Sequence, residues 1–266
     1  MISDMKKLYQ SLLFFCLPLA LTSCEEGVFE PQSANCLEIK QEDSEGNAWE
    51  KVYDEQDIIQ QRYLKDQALQ YYYSYVYDDD GRVSEIQYLD AQDAPYAPSE
   101  FITYDEEGRW SKSTVTYPNG NVSIYAAEYD SQGQLQKVTS STNKSGTVTQ
   151  NYTVTYTWLN GNNVSRTYES ASQRQEIQYE FDLDQENKRR KEQKKVAFLS
   201  LAVAYNQNMF KRVKTVSTSG STTTTTESVY DYEYNEEGYP SAVTRTTTVN
   251  SDASSTSTTT FLYNCD

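Results

Sequence analysis

The sequence predicts an all-β fold, an antiparallel meander of about seven to nine repeated β-hairpins rolled into a curved sheet or barrel. Three observations lead there. A short segment, Tyr75-Val76-Tyr77-Asp78-Asp79-Asp80-Gly81-Arg82-Val83, returns with variation along the chain. The residues between copies alternate between two faces. Tyrosine dominates the apolar complement: there are 24 Tyr in 266 residues, and hydrophobic residues make up only 37%. A thick aliphatic core is therefore not expected.

The chain opens with Lys6 and Lys7 followed by an apolar run at 8–21. That run is too short and interrupted to span a bilayer as a helix, and it reads as a signal-peptide core. Leu21-Thr22-Ser23-Cys24 follows and resembles the lipobox of bacterial lipoproteins. The resemblance implies cleavage before Cys24 and acylation of its sulfur and new amino group. Each buried acyl methylene adds roughly 0.8 kcal/mol to membrane attachment. Glu25 and Glu26 resemble the export tag of surface lipoproteins, though a solvated linker explains them equally well. The expected organisation is a signal peptide at 1–23, a lipid-anchored linker at 24–48 and a single repeat domain at 49–266. The expected location is the outer membrane, facing the periplasm or, preferentially, the cell surface.

Cleavage removes two of 23 basic and one of 39 acidic residues, leaving a net charge of −17. Such a chain repels nucleic acid and anionic membrane surfaces. Of the four cysteines, Cys16 leaves with the leader and Cys24 is the lipid site. Cys36 and Cys265 remain, one near each end of the folded region. They are either a disulfide tying the termini together or two unpaired thiols, because sequence supplies no Cα–Cα distance.

The repeated segment recurs in 101–110, 125–135 and 232–240, and in weaker form at 51–59, 155–164, 179–188, 204–213 and 261–266. The Asp or Asn after the aromatic falls at 78, 105, 130, 182, 206, 235 and 264, so adjacent spacings are 24–29 residues with one doubled gap. A fixed period of this size marks a repeat array. In each copy an alternating aromatic strand enters, Asp or Asn caps a four-residue turn, and Gly81, Gly108, Gly133 or Gly238 takes φ > 0 as the bulge residue. Asp-Asp-Asp-Gly therefore reads as a hairpin tip. A calcium loop spaces its ligands at alternate positions and adds a distal Glu, which no copy does, so no metal is expected. Between 147 and 158, Val148, Tyr152, Val154, Tyr156 and Trp158 share one face and threonines fill the other. One hairpin per copy gives about 14–18 strands.

The pattern aromatic-x-Tyr-Asp-x-x-Gly-Arg, best seen at 75–83 and 101–110, resembles the YD repeat of Rhs-type proteins. The chain as a whole is similar to small repeat-bearing lipoproteins of gut Gram-negative bacteria. The resemblance covers about residues 50–266. It implies a β-hairpin scaffold, and no toxin domain accompanies it here.

Some segments break the pattern. Lys188, Arg189, Arg190, Lys191, Lys194 and Lys195 place six cations in eight residues. They form either an anion-binding patch or a solvated hairpin end. The apolar stretch 196–205 is either a buried strand or a short helix plugging the sheet. The Thr-rich stretches 215–226 and 244–260 are either flexible, glycan-bearing segments or strands. Residues 54–70 are either a hairpin or a short helix.

Chemistry is narrowed by exclusion. The chain has no histidine, which removes His-based nucleophile systems and His-ligated metals. No phosphate-binding or dinucleotide glycine pattern is present, no pair of carboxylates stands out, and neither enzyme activity nor a cofactor is expected. Two functions fit. One is a binding or adhesion module for glycan or protein, using exposed Trp49, Trp110 and Trp158 for stacking. The other is a structural lipoprotein whose sheet is scaffold. A porin-like barrel is a lesser alternative, given the mean hydropathy of −0.79.

Overall fold

The computed structural model describes residues 36–55, 57–189, 206–252 and 254–265. Among them are sixteen strands. The first half comprises β1 (Cys36–Asp43), β2 (Ala48–Asp54), β3 (Asp57–Lys65), β4 (Ala68–Tyr77), β5 (Val83–Asp90), β6 (Pro95–Tyr104), β7 (Trp110–Thr116) and β8 (Val122–Tyr129). The second comprises β9 (Leu135–Lys144), β10 (Thr147–Leu159), β11 (Asn162–Ser170), β12 (Gln173–Glu186), β13 (Asn208–Ser219), β14 (Thr222–Tyr234), β15 (Pro240–Val249) and β16 (Ser255–Cys265). Each strand pairs antiparallel with its sequence neighbours, and β1 pairs with β16, so the sheet is a closed barrel. Closure removes the unpaired edges of an open meander.

The repeat turns lie at one end of the barrel, where β4–β5, β6–β7, β8–β9 and β14–β15 connect. In the first of them the Asp78 amide donates to the Arg82 carbonyl (2.8 Å) and the Gly81 amide to the Asp78 carbonyl (3.0 Å). The Asp78 carboxylate accepts from the Asp80 and Arg82 amides at 3.0 and 2.8 Å. The amide of Arg82 and then its guanidinium hold the Asp78 carboxyl below its usual range. Gly81, Gly108, Gly133 and Gly238 have φ of 72, 75, 76 and 77°, a region that costs L-residues roughly 1–2 kcal/mol.

Among the described residues, every consecutive strand pair except β12–β13 is joined by a short turn, so the hairpins outnumber the seven to nine read from the repeats. The additional turns sit at the opposite end and carry other signals. The β1–β2, β5–β6 and β7–β8 connections repeat the turn geometry, with Gly46, Asp93 and Gly120 at positive φ. At Asp66-Gln67 and Ser145-Gly146 both turn residues have positive φ, the signature of a two-residue hairpin. The linker assignment also needs correction. Residues 36–48 contain β1 and the first turn, because β1 is needed to pair with both β2 and β16. Residues 54–70 and the Thr-rich stretches are strands and hairpins.

A register shift recurs in seven hairpins, always beside the aromatic that precedes the repeat turn: at Tyr53, Tyr77, Tyr104, Tyr129, Trp158, Phe181 and Tyr234. The extra residue is a β-bulge. It lets this aromatic and the first residue of the next strand, such as Tyr104 with Trp110, point inward together. The core consequently gathers at the repeat-turn end, around Ile58, Tyr75, Val83, Ile86, Trp110 and Leu135.

These aromatics also lock neighbouring hairpins. The Tyr77 hydroxyl donates to the Ile58 carbonyl, Tyr104 to Val83 and Tyr129 to Trp110, each at 2.7 Å. Trp158 Nε1 makes the equivalent bond to Leu135 at 2.8 Å. The repeat arginine completes the lock: the Arg82 guanidinium lies 4.7 Å above the Tyr104 ring, and Arg109 lies 4.4 Å above Tyr129. Each copy thus holds the next.

At the seam Cys36 lies opposite Cys265 and is bonded to it, with a Cα–Cα distance of 4.0 Å.

Candidate interior binding site

Alternation sends one face of every strand into the barrel. Directly opposed positions form a belt across the inner wall: Ile102, Ser113, Tyr125, Ser140 and Tyr152. The outer face is mixed: Lys112, Glu128, Glu176, Glu180, Lys214 and Asp231 are exposed along the strands, and so are Val76, Phe101, Val229 and Leu262. The tryptophans proposed as exposed stacking residues are inside. Trp110 is only 6% exposed and belongs to the core; Trp158 packs against that core; Trp49 contacts the rings of Tyr63, Tyr71 and Tyr73. They turn inward because a barrel with few aliphatic residues buries its aromatic surface to fill its interior.

The inner wall of β5–β11 lines an open cavity of ≈ 540 Å³, within the range of small-ligand sites. Of its lining residues, Trp110 and Val138 are buried and Tyr117 is exposed. Its polar groups come from Tyr88, Glu100, Ser113, Tyr125, Tyr156 and Arg166. The Tyr88 hydroxyl donates to Glu100 Oε2 at 3.0 Å. Burial, and then the Glu100 charge, raise the Tyr88 pKa far above its ordinary value. Burial pushes Tyr156 up to about 12, against an opposing pull from Arg166, which lies directly opposite it on β11. Both phenols are therefore neutral donors at physiological pH.

Two polar atoms stand out. Trp110 Nε1 and Ser113 Oγ are buried with no hydrogen-bond partner among the described residues, and both residues line the cavity. Ser113 is 1% exposed. A buried polar group left unpaired costs about 1–3 kcal/mol. Both residues line the cavity, but the two atoms themselves are turned away from its accessible space. Sequence reasoning named Trp110 and missed Tyr88, Glu100, Ser113 and Arg166. The two-residue steps through Glu100, Ile102 and Tyr104 were the signal for the inward face. Which inward faces surround empty space depends on closure.

Of the basic segment only Lys188 and Arg189 are among the described residues. Lys188 Nζ donates to the Glu237 carbonyl and lies 5.5 Å from the Tyr239 ring centroid. Arg189 enters the barrel, 2.5 Å from Glu38 and 4.5 Å above the Phe261 ring. Glu38 is 1% exposed and also pairs with Lys51 at 3.0 Å. Burial alone would raise the Glu38 pKa, but the charges of Arg189 and Lys51 outweigh it and hold the carboxyl below 4.5. Arg189 thus neutralises a buried carboxylate and is not available to an external anion. Arg190, Lys191, Lys194, Lys195, the 196–205 stretch and Cys24, the expected lipid acceptor, lie outside the described residues.

No family model matches the chain, and no curated protein matches it in sequence. Among solved structures, a porin-like protein from Bacteroides uniformis is similar, with a TM-score of 0.58 at 11% identity over 85% of this chain and 97% of that one. A porin-like protein from Bacteroides vulgatus matches at 11% identity over 85% and 98%, with a TM-score of 0.40. The Tc holotoxin pore of Photorhabdus luminescens matches at 12% identity over 78% of this chain and 13% of that one, with a TM-score of 0.30. The last two carry no argument. The first is a likeness of fold: this chain is an all-β antiparallel meander closed into a barrel.

Proposed function

We propose that the protein is a cell-envelope lipoprotein, tethered through Cys24, whose barrel binds a glycan or similar polar ligand in its interior. The observation that carries this reading is the ≈ 540 Å³ interior cavity, whose lining combines Tyr88, Trp110, Tyr125 and Tyr156 with Glu100 and Arg166. The aromatic lining offers flat faces for stacking, and Glu100, Arg166 and the tyrosine hydroxyls offer hydrogen bonds. The charged side chains exposed on the outer face, such as Lys112, Glu180 and Lys214, support a barrel standing in water at the end of its tether. A second reading, a barrel spanning the outer membrane, is supported by the likeness to the porin-like protein. It would place residues such as Lys112 and Lys214 against lipid, at about 2–4 kcal/mol each near the midplane.

Arg166→Ala tests the binding reading, because it removes a cavity-lining hydrogen-bond donor. Thermal melts and a fluorescence screen of the full chain against a glycan panel separate lost folding from lost binding. A folded variant with unchanged binding sinks the site. Membrane flotation of Cys24→Ser separates the readings: the tethered barrel is released and a spanning barrel stays.

A further inference from the structure

We infer that the ligand is a linear oligosaccharide, held along an aromatic track that joins the large cavity to a second one at the barrel rim. This rests on the interior-binding reading above and specifies its ligand. The second cavity measures ≈ 350 Å³ and is lined by Gln41, Asp43, Asn47, Trp49, Tyr63 and Thr259. Trp49 and Tyr63 are in ring contact at 5.1 Å. From Trp49 the rings continue to Tyr73 at 5.5 Å and from Tyr73 to Tyr88 at 5.2 Å. Tyr88 lines the large cavity. A parallel path runs from Tyr63 to Tyr71 at 5.0 Å, Tyr71 to Tyr96 at 5.4 Å and Tyr96 to Tyr88 at 6.1 Å. Six rings thus make a continuous aromatic surface between the two cavities, and Tyr96 is 48% exposed.

The chemistry of the lining selects the occupant. An acyl chain would cover the rings but make no hydrogen bond to the polar lining groups such as Gln41 and Arg166 while displacing their water, an unfavourable burial. One compact ligand would fill only one cavity, since each falls within or near the about 300–1,000 Å³ of a single small-molecule site. Linked pyranoses have an apolar C–H face for each ring of the track and a hydroxyl rim for the polar groups at its two ends. A chain of them uses both cavities and the surface between.

The test is calorimetric titration of the full chain with linear maltose, cellobiose and xylobiose series of increasing length. In at least one series affinity should climb by about fivefold per added unit until the track is filled. Tyr96→Ala changes an exposed ring, so folding is preserved. It should weaken the longest chain by about fivefold and leave the disaccharide unchanged. Trp49→Phe should act in the same direction, and Arg166→Ala, at the large cavity, should weaken every length. Affinity independent of length, or indifference of the longest chain to Tyr96→Ala, overturns the track and leaves the cavity reading standing. Absence of binding in all series overturns the sugar assignment together with the glycan part of the proposed function.

Discussion

Replacing Glu38 by Gln should be among the most damaging single changes at the seam. Glu38 is 1% exposed and sits 3.0 Å from Lys51 and 2.5 Å from Arg189. The substitution keeps the shape and removes the charge, leaving two largely buried cations without that carboxylate. Breaking a buried pair in this way costs about 3–5 kcal/mol. At about 2–4 °C per kcal/mol for a domain of this size, the melting temperature falls by about 6–20 °C at pH 7. The sign of the pH dependence follows from the lowered pKa of Glu38. In the range below 4.5 the unfolded chain takes up the proton before the folded one. Stability from this carboxylate is therefore present above 4.5 and lost as the pH falls through the lower folded value. Thermal melts by circular dichroism across the acid range should show wild type and Glu38→Gln converging as the pH drops. The double variant with Arg189→Met should recover part of the loss, since contacting groups couple. A Glu38→Gln protein melting within about 2 °C of wild type at pH 7, with a parallel pH profile, would refute the coupling, because at this size a shift that small is 1 kcal/mol or less.

Other outcomes follow from the same contacts. Tyr129→Phe should destabilise by about 1–3 kcal/mol, because it leaves the buried Trp110 carbonyl without its 2.7 Å donor; Tyr117→Phe, on a residue 40% exposed, is the control expected to melt like wild type. Reducing the Cys36–Cys265 bond opens a link across 229 residues, worth about 5 kcal/mol in the chain-entropy model; melts with and without reductant, repeated on the Cys36→Ser/Cys265→Ser protein, measure it, and coincident curves would contradict it. Burial raises the pKa of Tyr75, Tyr77, Tyr88 and Tyr232, and of Tyr156 to about 12. A raised phenol pKa adds stability below the unfolded value near 10 that is lost as the pH climbs through the folded value. Ultraviolet titration should therefore show a class of tyrosines that ionises only with cooperative alkaline unfolding; a single class with its midpoint near 10 would place the rings on the wrong face.

The repeat turn was legible because its chemistry is local. Asp78 caps amides two and four residues away, and Gly81 supplies a backbone angle within the same four residues. The turns at Asp66-Gln67 and Ser145-Gly146 carry weaker side-chain signals, and the hairpins they close went uncounted. The role of Arg82 was not legible at all. Its carboxylate partner Asp78 is local, but the ring it covers, Tyr104, belongs to the next copy. Strand β1 looked like linker because Cys36–Asp43 lacks the aromatic grammar and is defined by partners at the far end of the chain. The candidate site shared that difficulty. Alternation sorts Glu100 and Ser113 to the inner face, but only a closed wall makes a cavity beside them.

The pairing of the first strand with the last has a consequence for the order in which the molecule can be made. Among the described strands every other pairing joins neighbours in sequence, so hairpins can assemble one after another from the N-terminus. β1 alone must wait, presenting one unpaired row of amides until the final segment arrives. Loss of an internal hairpin would narrow the circle while keeping its grammar, because each copy grips only the adjacent one. Loss of β16 removes the partner of β1 and one half of the Cys36–Cys265 bond together. The final 11-residue strand determines whether the fifteen before it become a vessel or stay an unfinished ribbon.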